Sequence, residues 1–327
     1  MKVWILSSKF GQGHWSAAGA LKERYEHDGH EVIIDDVVAI THPKTNKIIY
    51  SFFKKVITRI SPLYNFVNHF GRDPKRELKQ SKALRKAYED MNPDLILCTW
   101  SGAARILGEV DTKVVIYITD FGVHAGWIAK NASLYIVADE TMKDKLITYG
   151  VSSSMIEVSG IPVKSKFTKR TRVPYGTKNV LIMGGGLGIC PWIHEPLHTL
   201  TRYNGLKITV ITGNNKHLYK KIKRRYPEVN VVGFTDNMDK YLKEASVVIS
   251  KPGGVSLAES IAVGVPFVAI YPSFEHELEN AHYIETHHCG AVVRKGESID
   301  RTVLNVMHLK QPVQYGEHKG NTYDMAL

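Results

Sequence analysis

Short apolar runs recur along the chain, each followed by a polar or glycine-bearing turn and then a longer stretch with apolar positions at helical spacing. In the first half the runs are Val3–Leu6, Val32–Ile34, Leu95–Cys98, Val114–Ile118 and Leu134–Val137. In the second they are Asn179–Met183, Ile208–Thr212, Val229–Val232, Val247–Ile249, Phe267–Ile270 and Ala291–Val293. Runs that are apolar at nearly every position, not every second one, are strands buried on both faces. The amphipathic stretches between them are the helices that cover those faces. This pattern predicts an α/β fold with parallel sheets.

Two of the strands open onto glycine turns. Val3-Trp4-Ile5-Leu6 leads into Gly11-Gln12-Gly13-His14 and a helix start at Ser16-Ala17-Ala18. Asn179–Met183 leads into Gly184-Gly185-Gly186-Leu187-Gly188. Strand, glycine turn and helix form the repeating module of a doubly wound sheet. Its restart near the midpoint predicts two Rossmann-like domains. Pro162, Pro174 and Gly176 interrupt regular structure in the connector 161–178, which puts the boundary near residue 175, with domains at 1–174 and 175–327.

Composition bears more on partners than on fold. A chain of 327 residues, 43% of them hydrophobic, can bury two cores, and a charged fraction of 23% argues against long disorder. No apolar run reaches the roughly 18–20 residues of a membrane span. The N-terminal apolar run passes straight into glycine-rich sequence, so a buried strand is expected there and not a signal peptide. Cys98, Cys190 and Cys289 are odd in number and lie far apart. Neither a zinc site nor a disulfide framework is expected, and a reducing cytoplasm is the simplest setting. The net charge of +11 points to an anionic partner: nucleic acid, an acidic membrane surface or a phosphorylated substrate. The cations form no nucleic-acid recognition motif, so nucleic acid is the weakest of these.

One basic, aromatic-rich segment breaks the strand–helix rhythm. Residues 41–85 mix Phe52, Phe53, Phe66 and Phe70 with Lys54, Lys55, Arg59 and Arg72. Such a segment can lie in a membrane interface with its cations at anionic head groups. From the residues alone the plainer reading is a pair of surface helices docked on the sheet with a solvated charged face.

The chemistry is concentrated after the strand at 247–249. Lys251-Pro252-Gly253-Gly254-Val255-Ser256-Leu257-Ala258-Glu259 follows it and opens a helix. Adjacent glycines allow close approach of an anion to backbone N–H groups, and the helix N-terminus adds partial positive charge, which suits a diphosphate. Glu259, one turn on, is placed to accept hydrogen bonds from ribose hydroxyls. Alone, Gly-Gly would be an ordinary turn. After the next strand comes Pro272-Ser273-Phe274-Glu275-His276-Glu277-Leu278-Glu279-Asn280-Ala281, a polar loop at the carboxyl edge of a parallel sheet, where such folds bind ligands. Acids and Asn there suit the vicinal hydroxyls of a sugar.

Together these stretches resemble the donor signature of the glycosyltransferase family that includes monogalactosyldiacylglycerol synthases and processive diacylglycerol glucosyltransferases. That pattern runs Pro-Gly-Gly-x-[Ser/Thr]-x-x-Glu, then Pro-x-Pro-Gly-Gln-Glu-x-x-Asn-Ala. The chain keeps Pro252, Gly253, Gly254, Ser256, Glu259, Pro272, Glu277, Asn280 and Ala281. It departs at Phe274, Glu275 and His276, which stand for Pro, Gly and Gln and leave the sugar open. Gly11-Gln12-Gly13-His14-Trp15-Ser16-Ala17-Ala18 is similar to the family's Gly-x-Gly-His-x-x-Ala-Ala loop. Thr119-Asp120-Phe121-Gly122-Val123-His124-Ala125-Gly126-Trp127 is similar to its Thr-Asp-[Phe/Tyr]-x-x-His-x-x-Trp motif. Val137–Glu140 and Ser159–Val163 also match, so the resemblance spans nearly the whole chain.

The resemblance implies the GT-B fold, two Rossmann-like domains facing across a cleft, and inverting transfer of a hexose from a UDP-sugar to diacylglycerol or a glycolipid. On the donor side it implies Gly184, Gly185, Gly186, Phe234, Gly253, Gly254, Ser256, Glu259, His276, Glu277 and Asn280. Phe234, in Gly233-Phe234-Thr235-Asp236, reads either as the border of the nucleobase or as core packing. On the acceptor side stand Gly13, His124 and Trp127, the last two reading equally as wall packing. His14 and Asp120 are the candidates for the catalytic base, and the choice between them stays open. No Asp-x-Asp occurs, so no metal site and no cofactor is expected. The enzyme would sit in the cytoplasm, peripherally on the inner face of the membrane. Two other readings are kept: transfer to a soluble acceptor, and a non-catalytic regulator that binds a nucleotide sugar.

Overall fold

A computed structural model describes residues 1–10, 12–59, 74–168 and 178–307, and of 54–59 and 74–79 the backbone alone. These residues form two compact units that divide between Lys164 and Ser165. The expected break near residue 175 falls within 169–177, outside the described residues.

Unit 1 is a parallel sheet of β1 (Lys2–Ser7), β2 (Glu31–Asp36), β3 (Leu95–Cys98), β4 (Lys113–Tyr117), β5 (Leu134–Val137) and β6 (Ile156–Val158), in the order β2-β1-β3-β4-β5-β6. Its helices are α1 (Gly13–His27), α2 (Val37–Thr41), α3 (Asn46–Arg59), α4 (Pro74–Met91), α5 (Ala103–Leu107) and α6 (Glu140–Thr148). Strand β6 had no counterpart among the predicted runs: it is short, lies at the sheet edge and carries a central Glu157. Helix α1 covers one face by burying Ala18, Leu21 and Tyr25 against Val3, Ile5, Leu97 and Val115. The Asp36 carboxylate caps α2, accepting from Val38 N at 3.0 Å, and accepts from the Tyr50 hydroxyl of α3 at 2.6 Å.

Unit 2 has α7 (Ser165–Thr168), β7 (Asn179–Met183), α8 (His194–Leu200), β8 (Lys207–Ile211), α9 (Lys216–Arg225), β9 (Asn230–Val232) and α10 (Met238–Glu244). It continues with β10 (Val247–Ser250), α11 (Gly254–Val263), β11 (Phe267–Ile270), α12 (Glu275–Thr286), β12 (Gly290–Val293) and α13 (Ile299–Met307). The sheet order is β12-β11-β10-β7-β8-β9, again parallel. Ile249 and Val268 in unit 2, like Ile5 and Leu97 in unit 1, are fully buried. Each such side chain contributes roughly 1.5–3 kcal/mol. Stability therefore resides in the sheets, and the loops at their carboxyl edges are left to chemistry.

Both strand orders contain a switch point, where successive crossovers leave in opposite directions and a crevice opens beyond the strand ends. In unit 1 it lies between β1 and β3, where Leu6 pairs with Cys98. In unit 2 it lies between β7 and β10, where Met183 pairs with Ser250. The register brings Gly184 beside Lys251, so the two glycine turns of the second half flank one crevice.

Part of the basic aromatic segment is described. Tyr50 and Phe53 of α3 pack on Phe10, with ring centroids 4.9 and 4.5 Å away, while Ile48 and Phe52 are 67% and 58% exposed. Lys47 and Ser51 border the same hollow. The side chains of Lys54, Lys55 and Arg59, and all of 60–73, lie outside the described residues. Among the described residues no helix is long and apolar enough to cross a membrane.

Candidate active site

In unit 1 the loop from β1 to α1 reaches the switch point. Gln12 takes a left-handed backbone (φ 74°) as it turns into α1 at Gly13, a conformation that costs a non-glycine residue roughly 1–2 kcal/mol. The turn sets His14 in the first turn of α1. Its Nδ1 lies 2.7 Å from Thr119 Oγ1, and its carbonyl lies 3.1 Å from Thr99 Oγ1, which also bonds Ser7 Oγ at 2.8 Å. Ser7, Thr99 and Thr119 are buried at the carboxyl ends of β1, β3 and β4. Thr119 thus holds the imidazole and Thr99, itself bonded to Ser7, holds the backbone of the same residue, with half-buried Asp120 next to Thr119.

Trp127 is buried 6.4 Å from the His14 ring and 6.2 Å from the His124 ring. His124 Nδ1 accepts from Gly126 N at 3.1 Å and so caps the short turn at Ala125–Trp127. His14, Asp120, Gly13, His124 and Trp127 therefore belong to one edge of unit 1. Sequence reasoning gave Thr99 and Thr119 no role. The signal was present only as a hydroxyl directly after a buried strand.

In unit 2 two kinds of glycine line the crevice. A Cβ on Gly184 would meet Cys190 Sγ at 2.0 Å, and one on Gly188 (φ 62°) would meet the Thr212 carbonyl at 1.8 Å. The protein's own packing accounts for both. Gly186 belongs to the same turn, its carbonyl accepting from Asn214 N at 3.2 Å. Gly253 is different: φ −84° and ψ 136° suit any residue, and a Cβ there meets no heavy atom within 4 Å. Neither backbone nor neighbours require glycine at 253. It stands at the N-cap of α11, where the first turn's N–H groups, those of Gly254, Val255 and Ser256, have no carbonyl within the helix to bond. The Gly253 N–H itself turns back to the Lys251 carbonyl at 2.8 Å.

The second loop is braced from below. Glu277 is buried; its Oε2 accepts from Ser273 N at 3.2 Å and its Oε1 lies 3.4 Å from Lys251 Nζ. Reaching back from the third position of α12, it forms half of a capping box, whose other half Phe274 has no acceptor to supply. Asn280 is fully buried and donates to the Pro252 carbonyl at 2.9 Å, joining α12 to the Pro-Gly-Gly turn. These two matched residues hold the two loops together. His276 stacks on Phe274 at 5.7 Å with rings 6° apart, so two of the departures from the family pattern form one unit. Tyr271, left-handed at φ 48°, donates to Glu195 Oε2 at 2.6 Å; burial first, then that bond, pushes its hydroxyl up to about 12.

Ser256 and Glu259 are half-buried on α11. Phe234 is 55% exposed in the turn after β9, so it is not a core residue of unit 2. That turn is tied down by Lys166, which donates to the Asp236 carbonyl and pairs with Asp239 at 3.3 Å.

Both units match known protein families. Residues 14–163 match the family described as monogalactosyldiacylglycerol (MGDG) synthase, and residues 179–321 match the glycosyltransferase family 28 C-terminal domain. A processive diacylglycerol beta-glucosyltransferase of Bacillus pumilus (strain SAFR-032) is 26% identical, over 96% of this chain and 88% of its own. Among solved structures, the glycotransferase of kitacinnamycin is 13% identical with a TM-score of 0.65, covering 94% of this chain and 91% of that one. Anabaena HepE in complex with UDP-glucose is 15% identical with a TM-score of 0.54, over 94% and 88%. The chain therefore joins a domain of the monogalactosyldiacylglycerol synthase family to a glycosyltransferase family 28 C-terminal domain, and its fold is GT-B.

Proposed function

We propose that the protein is an inverting glycosyltransferase that moves a hexose from a UDP-sugar to the hydroxyl of diacylglycerol or a glycolipid at a membrane surface. The observation that carries this reading is Gly253, a glycine that neither its backbone nor its neighbours explain, at a helix N-terminus beside the switch point. A diphosphate pressed against that backbone accounts for it. The anion bonds the first N–H groups of α11 and gains from the helix dipole. Glu259 receives the ribose hydroxyls, Phe234 borders the base, and residues 273–276 meet the sugar. UDP-glucose binding by HepE and the diacylglycerol named for the Bacillus relative support the two substrates.

Unit 1 supplies the acceptor and the base. For His14 Nε2 to take a proton, Nδ1 must carry its own and donate it to Thr119 Oγ1. The acceptor hydroxyl gives its proton to Nε2 while its oxygen attacks the anomeric carbon. The bond from that carbon to the diphosphate oxygen breaks on the opposite face, and its electron pair leaves with UDP. Backbone amides and the helix end stabilise the departing charge, so turnover is expected to persist in excess EDTA. The exposed Ile48 and Phe52 of α3, with Lys47 beside them, touch the membrane on its cytoplasmic face, while Phe53 anchors the helix to the loop before His14.

The test is turnover of a panel of UDP-sugars with diacylglycerol vesicles, the product identified by mass. A lipid heavier by one or more hexoses is expected. Transfer only to soluble acceptors, or UDP binding without any transfer, overturns the reading.

A further inference from the structure

Helix α9 carries a charge that the donor pocket does not use. Its sequence is Lys-His-Leu-Tyr-Lys-Lys-Ile-Lys-Arg-Arg, and only Leu218 and Ile222 are buried against the edge of the sheet, between β8 and β9. Lys216, Lys220, Lys221, Lys223, Arg224 and Arg225 are all exposed. None of the six pairs with a carboxylate among the described residues, and the sequence holds no Asp or Glu from Pro196 to Pro227.

Structure accounts for only part of this charge: Lys223 lies over the Tyr219 ring at 5.7 Å and Arg225 over the Tyr226 ring at 5.8 Å. The cations of the last turn suit the negative end of the helix dipole. Lys216 sits at the positive end, where a cation is disfavoured. Lys216 and Lys220, Lys220 and Arg224, and Lys221 and Arg225 are each four residues apart, so they face one another as like charges. The field reaches the neighbouring helix: His194 of α8 is held below its ordinary value, first by burial and then by Lys221 and Arg225.

We propose that the outer face of α9 is a docking surface for an anionic lipid bilayer, a contact made by unit 2 separate from α3 of unit 1. The apolar side chains of α9 are buried, so the contact is one of cations with head groups and not insertion. The cations of α9 form no nucleic-acid recognition motif. The inference rests on the lipid-acceptor reading, which brings the protein to a bilayer.

The experiment compares co-sedimentation of three proteins with phosphatidylcholine vesicles containing increasing phosphatidylglycerol. They are wild type, Lys216→Gln/Lys220→Gln/Lys221→Gln, and a charge-matched control, Lys178→Gln/Lys207→Gln/Lys295→Gln, drawn from exposed lysines elsewhere in unit 2. Gln keeps helix propensity, and an unchanged melting temperature verifies folding. A cation near an anionic surface is worth about five-fold in affinity, so the α9 variant is expected to bind roughly 100-fold more weakly and the control far less so. Transfer to a detergent-dispersed acceptor should be equal in all three. Equal binding by the α9 variant and wild type overturns the proposal, as does an equal loss in the control. Retention on immobilised RNA is measured for the same three proteins, and its loss in the α9 variant without loss of vesicle binding overturns the proposal too. Vesicle binding is read without catalysis, so if wild type transfers nothing to diacylglycerol yet binds through α9, the acceptor reading fails and the docking surface stands.

Discussion

Adding one methyl group at Gly253 should separate donor binding from stability. In Gly253→Ala the new Cβ meets nothing within 4 Å and the backbone is already in an ordinary extended conformation. Reduced freedom of the unfolded chain stabilises by about 0.4–1 kcal/mol where the native conformation is compatible. The poorer N-cap preference of Ala over Gly offsets a similar amount. The two nearly cancel, so the melting temperature should stay within about 2 °C, given roughly 2–4 °C per kcal/mol for a unit of this size. Gly184→Ala is the contrast. Its Cβ would lie 2.0 Å from Cys190 Sγ and 3.0 Å from Ile189 N, and the backbone atom has no rotamer to retreat into. Overpacking of that kind costs about 1–3 kcal/mol, several degrees in melting temperature. Calorimetric titration with UDP completes the comparison. If the diphosphate lies on Gly253, the methyl group should weaken UDP at least tenfold, about 1.4 kcal/mol. A Gly253→Ala protein that binds UDP like wild type, or that melts as early as Gly184→Ala, would refute the reasoning.

Three further outcomes are expected. His14→Ala should lower kcat by roughly 10²–10⁴ with UDP affinity unchanged, and Thr119→Val, which keeps the base but frees its ring, should lower kcat less; if Asp120→Asn is the lethal change and His14→Ala is not, the base is Asp120. Burial raises all three thiols, to about 12 for Cys190 and Cys289, so native protein at pH 8 should resist a thiol reagent and release its cysteines only on unfolding. At Asp239 burial acts to raise the carboxyl, but the hydrogen bond and charge of Lys166 and the charge of Lys243 outweigh it and hold it below its ordinary 3.8. Its stabilisation is therefore present above that value and lost as pH falls through the lower folded value. Asp239→Asn should cost up to about 1 kcal/mol at pH 7 by urea titration and less in acid; an equal difference at both pH values would contradict this.

The strands were legible because parallel strands buried on both faces read as unbroken apolar runs, as Leu95–Cys98 and Phe267–Ile270 do. Strand β6 was not, since three residues around a glutamate carry no such signal. The motifs also marked the right edges of the sheets, because glycine turns and polar loops follow the strands that end there. What lay beyond the sequence was division of labour among matched residues. Gly184 and Gly253 are the same letter, yet one is demanded by Cys190 and the other by nothing among the described residues. Glu277 and Asn280 match the donor pattern, yet their partners are Ser273, Lys251 and Pro252. Contacts between segments that lie far apart along the chain are set by sheet order, and no local pattern reports them. The cations of α9 were visible as letters, but only exposure and the lack of nearby carboxylates give them meaning.

The brace beneath the sugar loop also bears on how such an enzyme diversifies. Asn280 fixes the far end of the loop to the Pro-Gly-Gly turn and Glu277 fixes its near end, and neither bond involves the side chains of residues 273–276. Those four positions can drift together, as the stacked Phe274 and His276 have done relative to their family, while the diphosphate seat stays where it is. Selectivity for the hexose becomes a short replaceable cassette on a fixed mount. Exchanging 273–276 for another member's residues should retune the donor without rebuilding the unit.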